Sequence, residues 1–148
     1  MANTFDRFTT QARGVLEQAA DEAARHRHAF IGTEHLLLAL MTAGEGPAAE
    51  ALAELGLGVA GGREQLHRIV REGAEGTDVA RHLTVRARVA IMEAVDEANR
   101  RRHGHVGPEH LLLGLMRDED AVSVAMCQQL GVNHEDVRQA VERRISRN

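Results

Sequence analysis

Two acid–histidine pairs are the first residues in this 148-residue chain whose types could do chemistry. Glu34-His35 and Glu109-His110 each open a run of three leucines, and each follows a spaced histidine pair, His26-x-His28 and His103-x-His105. The nine histidines invite a metal reading, but Glu-His-Leu-Leu-Leu is not His-Glu-x-x-His, and no ligand set of the usual spacing is present. His35 and His110 are expected instead to tie a helix start to the adjoining loop. An acid in the first turn of a helix is favourable against the macrodipole, which is a sufficient role for Glu34 and Glu109 by itself. Cys127 falls among apolar residues and reads as a buried, inert thiol. As the sole cysteine it forms no intrachain disulfide. There is no lysine, so the sequence holds no Walker-type phosphate loop, and no nucleophile–base pair stands out. The chemistry on offer is recognition, without a cofactor, rather than catalysis.

The elements that must position these residues occur twice. The segment Arg27-His28-Ala29-Phe30-Ile31-Gly32-Thr33-Glu34-His35 returns as Arg102-His103-Gly104-His105-Val106-Gly107-Pro108-Glu109-His110, an offset of 75 residues. The same offset relates Thr9-x-x-Ala12-Arg13 to Thr84-x-x-Ala87-Arg88, Asp21-Glu22-Ala23 to Asp96-Glu97-Ala98, Leu55-Gly56 to Leu130-Gly131, and Arg63 to Arg138. The chain is a duplication. Each copy reads as about four short helices. The first starts at Thr9 or Thr84, hydroxyls suited to capping, and Ala12, Leu16, Ala19 and Ala23 (Ala87, Ile91, Ala94 and Ala98 in the copy) then recur at helical spacing. The second opens at Gly32-Thr33 or Gly107-Pro108, where proline costs nothing. Its leucine run is apolar nearly all round and predicts the buried centre of each repeat. Third and fourth helices are predicted near 48–55 and 63–70, the fourth returning near 138–145. The expectation is an all-α single domain over 1–148, with repeats at 5–72 and 82–146 around a linker at 73–81, packed about a pseudo-twofold axis as about eight helices.

Composition agrees and narrows the partners. Aromatics are 2% of the chain, so alanine and leucine, both good helix formers, must build the core. Net charge is −4. Residues 1–75 hold 7 arginines against 11 acids and residues 76–148 hold 11 against 11, so neither half is a phosphate-tracking surface, and no nucleic-acid partner is expected. The start lacks a signal-peptide profile and no apolar run is long enough to span a bilayer, which predicts a cytoplasmic protein without a membrane partner.

The ordered motifs Arg7-Phe8-Thr9, Ile31-Gly32-Thr33-Glu34-His35-Leu36-Leu37-Leu38, Gly44-Glu45-Gly46 and Leu55-Gly56, all within a duplicated frame, resemble the N-terminal repeat domain of Clp chaperone ATPases, closest to the ClpC type, over essentially the whole chain. In that family the domain stands before hexameric unfoldase rings that feed a compartmental protease. The resemblance therefore implies a reception module for protein substrates, free-standing without its ATPase motor, and not an enzyme. It further implies a phosphoarginine pocket in each repeat, with Glu34 and Glu109 as the acidic members. A carboxylate takes a guanidinium through two charge-assisted bonds, and Thr9, Thr84, Thr33 and Arg86 are candidate contacts to the phosphoryl group. A second implied surface, for cyclic peptide antibiotics, carries over to Phe5, Arg13, Leu83 and Arg88; Phe5 equally suits a hydrophobic staple. The alternatives on this footing are a decoy or immunity protein that sequesters such peptides, and a structural partner of a Clp ATPase. Three positions depart from the family pattern: Gln11 replaces an arginine, Leu83 an aromatic residue, and Pro108 a threonine. With Thr33, Phe8 and Gln11 grouped around Glu34, and Arg86 and Pro108 around Glu109, the pockets are expected to be unlike and to bind unequally.

Overall fold

The computed structural model describes residues 5–74 and 82–145. Eight helices follow one another: α1 (Thr10–Arg25), α2 (Thr33–Thr42), α3 (Pro47–Glu54), α4 (Val59–Ile69), α5 (Val85–Arg100), α6 (Pro108–Leu115), α7 (Val122–Gln129) and α8 (His134–Ile145). The architecture is all-α. Thr9 and Thr84 cap α1 and α5, their hydroxyl oxygens accepting the N–H groups of Ala12 at 3.0 Å and Ala87 at 3.1 Å. Each satisfies one of the orphan donors that every helix start leaves. α4 and α8 begin four residues earlier than the sequence pattern predicts; in α4, Gly61-Gly62 hides the helical signal. Gly62 is there for space: a Cβ would lie 2.7 Å from the Met41 sulfur and 2.9 Å from Leu38 Cδ2.

α2 and α6 form the centre, with Leu36, Leu37, Leu38 and Leu40, and their counterparts Leu111, Leu112, Leu113 and Leu115, at most 2% exposed. α1 packs on α2 and α5 on α6, while across the repeats α3 meets α8 and α4 meets α7. Every cross-repeat contact thus maps onto another, or onto itself as α2–α6 does, when the 75-residue offset is applied. That is the signature of a pseudo-twofold axis, the intrachain form of an isologous interface. Two isolated parallel bridges repeat the symmetry, Phe8 with Val106 and Ile31 with Leu83.

Of the linker read at 73–81, residues 75–81 lie outside the described residues, as does residue 146 of the second repeat. Gly73 is packed tightly, its N–H donating to the His26 carbonyl at 3.0 Å. Among the described residues no single helix is long and apolar enough to cross a membrane.

Candidate functional site

The bridges decide which residues share a pocket. Thr9 N–H donates to the Val106 carbonyl at 3.0 Å, and Val106 N–H to the Arg7 carbonyl at 2.9 Å. The start of α1 is therefore pinned beside the start of α6, in the other repeat. Thr9 and Gln11 line a cavity of about 300 Å³ together with Gly107, Pro108 and Glu109, closed by Glu45 to Ala48 at the start of α3. The Glu109 carboxylate folds back over Gly107, where a Cβ would fall 2.1 Å from its oxygen, so a side chain larger than hydrogen there would push it aside. The grouping expected from sequence is corrected: Gln11 lies with Glu109, not with Glu34, and Thr9 joins it there. This pocket is assembled from both repeats.

Pro108 changes what this pocket offers. At the matched place in the other half, the hydroxyl of buried Thr33 accepts the Ser123 N–H at 3.3 Å, near the start of α7. Thr33 is only 3% exposed, and its hydroxyl oxygen is engaged within the fold. Proline has no such hydroxyl. The start of α3, whose N-cap is Gly46 with φ 93° and no side-chain cap, consequently keeps its first N–H groups unclaimed by a neighbouring helix. The start of α3, whose first N–H belongs to Ala48 because Pro47 has none, and Thr9 line the same cavity as Glu109. It is a site with an anion-attracting wall and a cation-attracting wall.

The counterpart at Glu34 uses the start of α5, where Thr84 N–H donates to the Ile31 carbonyl at 2.9 Å. Burial pushes the Glu34 carboxyl above its ordinary pKa, and its own backbone N–H and His28 only partly offset this. Arg86 stands where Gln11 does, but both Asp118 oxygens receive its Nη1, at 2.8 and 2.6 Å. The pair is solvent-exposed and weak.

The histidines behave as the helix-start reading expects. Gly32 N–H donates to His35 Nδ1 at 2.9 Å, and Gly107 N–H to His110 Nδ1 at 2.9 Å. The Nε2 proton of His35 then points to His28 Nδ1 at 2.7 Å, and the Nε2 of His28 to the Arg71 carbonyl at 3.1 Å. Burial drives the His35 pKa down to about 3 and that of His110 to about 4. The fold adds something the spacing did not reveal: nitrogens of His103, His105 and His110 lie within 4.8 Å of one another. His110 Nδ1 already accepts a backbone proton and its Nε2 faces His103 Nδ1 at 2.8 Å, so the rings hydrogen-bond to each other rather than presenting three converging lone pairs. Cys127 is buried, its pKa pushed up to about 12 by burial.

On the second surface, Arg13 donates to the carbonyls of Phe5 at 2.8 Å and Phe8 at 3.3 Å, while the two rings meet edge to face at 5.1 Å. Leu83 is half-buried in its bridge to Ile31, and Arg88 is exposed one turn into α5. Sequence reasoning missed the buried carboxylates. Glu22, fully buried, takes Arg63 at 2.5 Å, and Glu97 takes Arg101, Arg100 at 3.1 Å and Arg138 at 3.3 Å. Burial raises both acids, but the guanidiniums around them outweigh it and hold both below the ordinary carboxylate range. The signal was available, since Glu22 and Arg63 recur together as Glu97 and Arg138.

A duplicated all-α domain thus carries a two-signed pocket in the seam between the start of α1 and the start of α6. The chain belongs to the Clp repeat (R) N-terminal domain family, whose pattern matches residues 7–81 and again 82–148. It is a Clp N-domain related to Clp ATPases. It is 42% identical over 137 residues to the negative regulator of genetic competence ClpC/MecB of Bacillus subtilis, covering 93% of this chain and 17% of that protein. Chaperone protein ClpC1, chloroplastic, of Arabidopsis thaliana is 35% identical over 144 residues, 97% of this chain and 16% of its own. The chain thus spans about a sixth of the length of these relatives. Among solved structures, the N-terminal domain of the chaperone ClpD from Arabidopsis thaliana superposes with a TM-score of 0.79 at 20% identity, covering 98% of both chains. A ClpV N-domain in complex with a VipB peptide gives 0.71 at 16% identity, covering 94% of this chain and 89% of that one.

Proposed function

We propose that this domain receives protein substrates or degrons for a Clp unfoldase in the cytoplasm, recognising arginine side chains that carry a phosphoryl group. The observation that carries the reading is the Glu109 cavity. Its carboxylate suits the guanidinium, and the Thr9 hydroxyl and the N-terminal N–H groups of α3, which line the same cavity, suit the phosphoryl oxygens. The Glu34 site supplies Thr84 and, once Asp118 is displaced, the Arg86 guanidinium. The ClpV N-domain solved with a VipB peptide supports a peptide-binding role for the fold. Nothing in the role calls for catalysis or a cofactor.

Calorimetric titration with phosphoarginine, against arginine and phosphoserine, tests the reading. Binding is expected for phosphoarginine alone, weakened by Glu109→Ala and by Glu34→Ala to different extents and abolished by both together. Phosphoarginine heats no larger than the controls at millimolar ligand overturn it. A second reading, capture of cyclic peptides, is favoured by the Arg13-braced Phe5–Phe8 pair and by Val85, 74% exposed, near Arg88. A cyclic peptide that binds with both glutamates replaced favours that surface.

A further inference from the structure

The Glu109 cavity does not end at Glu109. Gln11, Glu45 and Pro108 are shared with a second cavity of about 460 Å³ that runs between α1 and α2 over Gly14, Val15, Gln18, Ala39 and Thr42. Together they make one continuous groove in repeat 1. Its counterpart in repeat 2 holds only about 180 Å³.

The difference lies in a handful of residues at matched positions. Val89 fills the place of Gly14, whose missing Cβ would otherwise meet nothing within 4 Å. Glu93 and Arg117 replace Gln18 and Thr42 and join across the cleft at 2.6 Å. Asp118 replaces Ala43 and is held by Arg86. Gly114 replaces Ala39 and lets the backbone of α6 come so near α5 that a Cβ would lie 2.4 Å from the Ala90 carbonyl. In repeat 1 the Ala39 methyl spaces the helices apart, and among the described residues no side-chain ion pair straps them. What remains is neutral and amide-rich. Gln11 and Gln18 each offer a donor and an acceptor that no partner among the described residues takes, and the floor is Val15 and Ala39. The groove's ionisable side chain is Glu45, at the junction with the anchor pocket. Extended polypeptide carries unpaired N–H and C=O groups and modest side chains, which is the chemistry that two carboxamides above an apolar floor satisfy.

We propose that the α1–α2 groove of repeat 1 binds the extended main chain of a substrate beside the residue anchored at Glu109, so that repeat 1 reads flanking sequence and repeat 2 does not. The groove admits small neutral or basic side chains and disfavours acidic ones, since Glu45 guards its entrance. The proposal rests on the reading of the Glu109 pocket as the anchor site, and its test separates the two. Capped single-residue phosphoarginine is titrated against hexapeptides of glycine and serine carrying phosphoarginine at the first or the last position. One placement is expected to bind about tenfold more tightly than the capped residue, the gain of one or two added hydrogen bonds. Gly14→Val, and separately the pair Gln18→Glu with Thr42→Arg, which copy repeat 2, are expected to remove that gain while leaving the capped residue's affinity unchanged. Circular dichroism melts confirm that both variants fold. Equal affinity of all three ligands overturns the groove, as does a groove variant that weakens the capped residue as much as the peptide. If phosphoarginine itself does not bind, the anchor reading fails instead. The groove then stands if hexapeptides with unmodified arginine bind and lose affinity on Gly14→Val, and falls if they do not.

Discussion

At the scale of single residues, the two half-sites turn on what sits at the first turn of α2 and α6. His35 and His110 are third in their helices and reach back to the N–H of the glycine before the helix, a task more often done by glutamate or glutamine. This leaves the carboxylates of Glu34 and Glu109 one position earlier, free to curl over those glycines rather than serve as the cap. The arrangement works only with neutral imidazoles, because Nδ1 must accept. Their folded pKa values, about 3 and about 4, lie below the ordinary histidine value, so the unfolded chain binds more protons at mildly acidic pH. The contribution is therefore fully present above the unfolded value of about 6.5 and is lost as pH falls toward 4. One pH unit below 6.5 is worth about 1 kcal/mol for each ring. Over the two units from pH 7.5 to pH 5.5 the two rings together amount to about 3 kcal/mol, and urea unfolding of the native chain is expected to differ by about that much. The double variant His35→Gln, His110→Gln, whose amides also accept the glycine N–H, is expected to show a flatter dependence. An unchanged pH dependence in that variant refutes the assignment.

At the scale of helices, the duplicated pairs α1–α2 and α5–α6 are alike in sequence and unlike in spacing. Gly114 sets the closer pair: with its missing Cβ facing the Ala90 carbonyl and the Ala94 nitrogen at 2.4 and 2.9 Å, backbone meets backbone. Gly114→Ala is expected to cost about 1–3 kcal/mol by overpacking, although alanine is the better helix former. The gain from helix propensity is only about 1 kcal/mol, too small to win. Ala39→Gly, in the wider pair, is expected to cost about 1 kcal/mol from propensity alone. Guanidinium melts of both variants check the ranking, and equal losses would show that the two helix pairs are spaced alike. The helices themselves were legible because alanines and leucines recur at three- and four-residue steps and Thr9 and Thr84 mark the starts. Helix spacing was not, because it depends on which face Gly114 presents, and a single glycine in a helical run carries no mark of its neighbour. The early start of α4 escaped for a related reason, since Gly61-Gly62 reads as a break until packing against Met41 and Leu38 explains it.

At the scale of the whole molecule, the offset of 75 residues revealed that there are two repeats, and the resemblance carried Glu34 and Glu109 into view, but neither showed how the repeats interlock. A linear repeat suggests that each pocket is built from one copy. The bridges cross instead, so Thr9 faces Glu109, and the segment before α5 pairs with the segment before α2. Further ties cross as well: Arg7 donates to Asn99 at 2.7 Å and to the His103 carbonyl at 2.6 Å, and Arg143 and Arg144 each hold Glu54 at 2.8 Å. These contacts join residues about ninety positions apart, which sequence periodicity cannot register. An exchange of this kind makes each repeat an incomplete domain, since α2 and α6 bury their leucines partly against one another. Half a chain has too little core to offset its ordering entropy. Peptides covering residues 5–74 and 82–145 are therefore expected to be largely unfolded when alone. Mixed at equal concentration, they are expected to regain helical circular dichroism with a concentration-dependent midpoint. The intact chain, in contrast, is expected to melt in one transition whatever its concentration. A fragment that is helical alone and melts at the temperature of the intact chain would show that a repeat is self-sufficient, and the interlocked pockets would then be two separable ones.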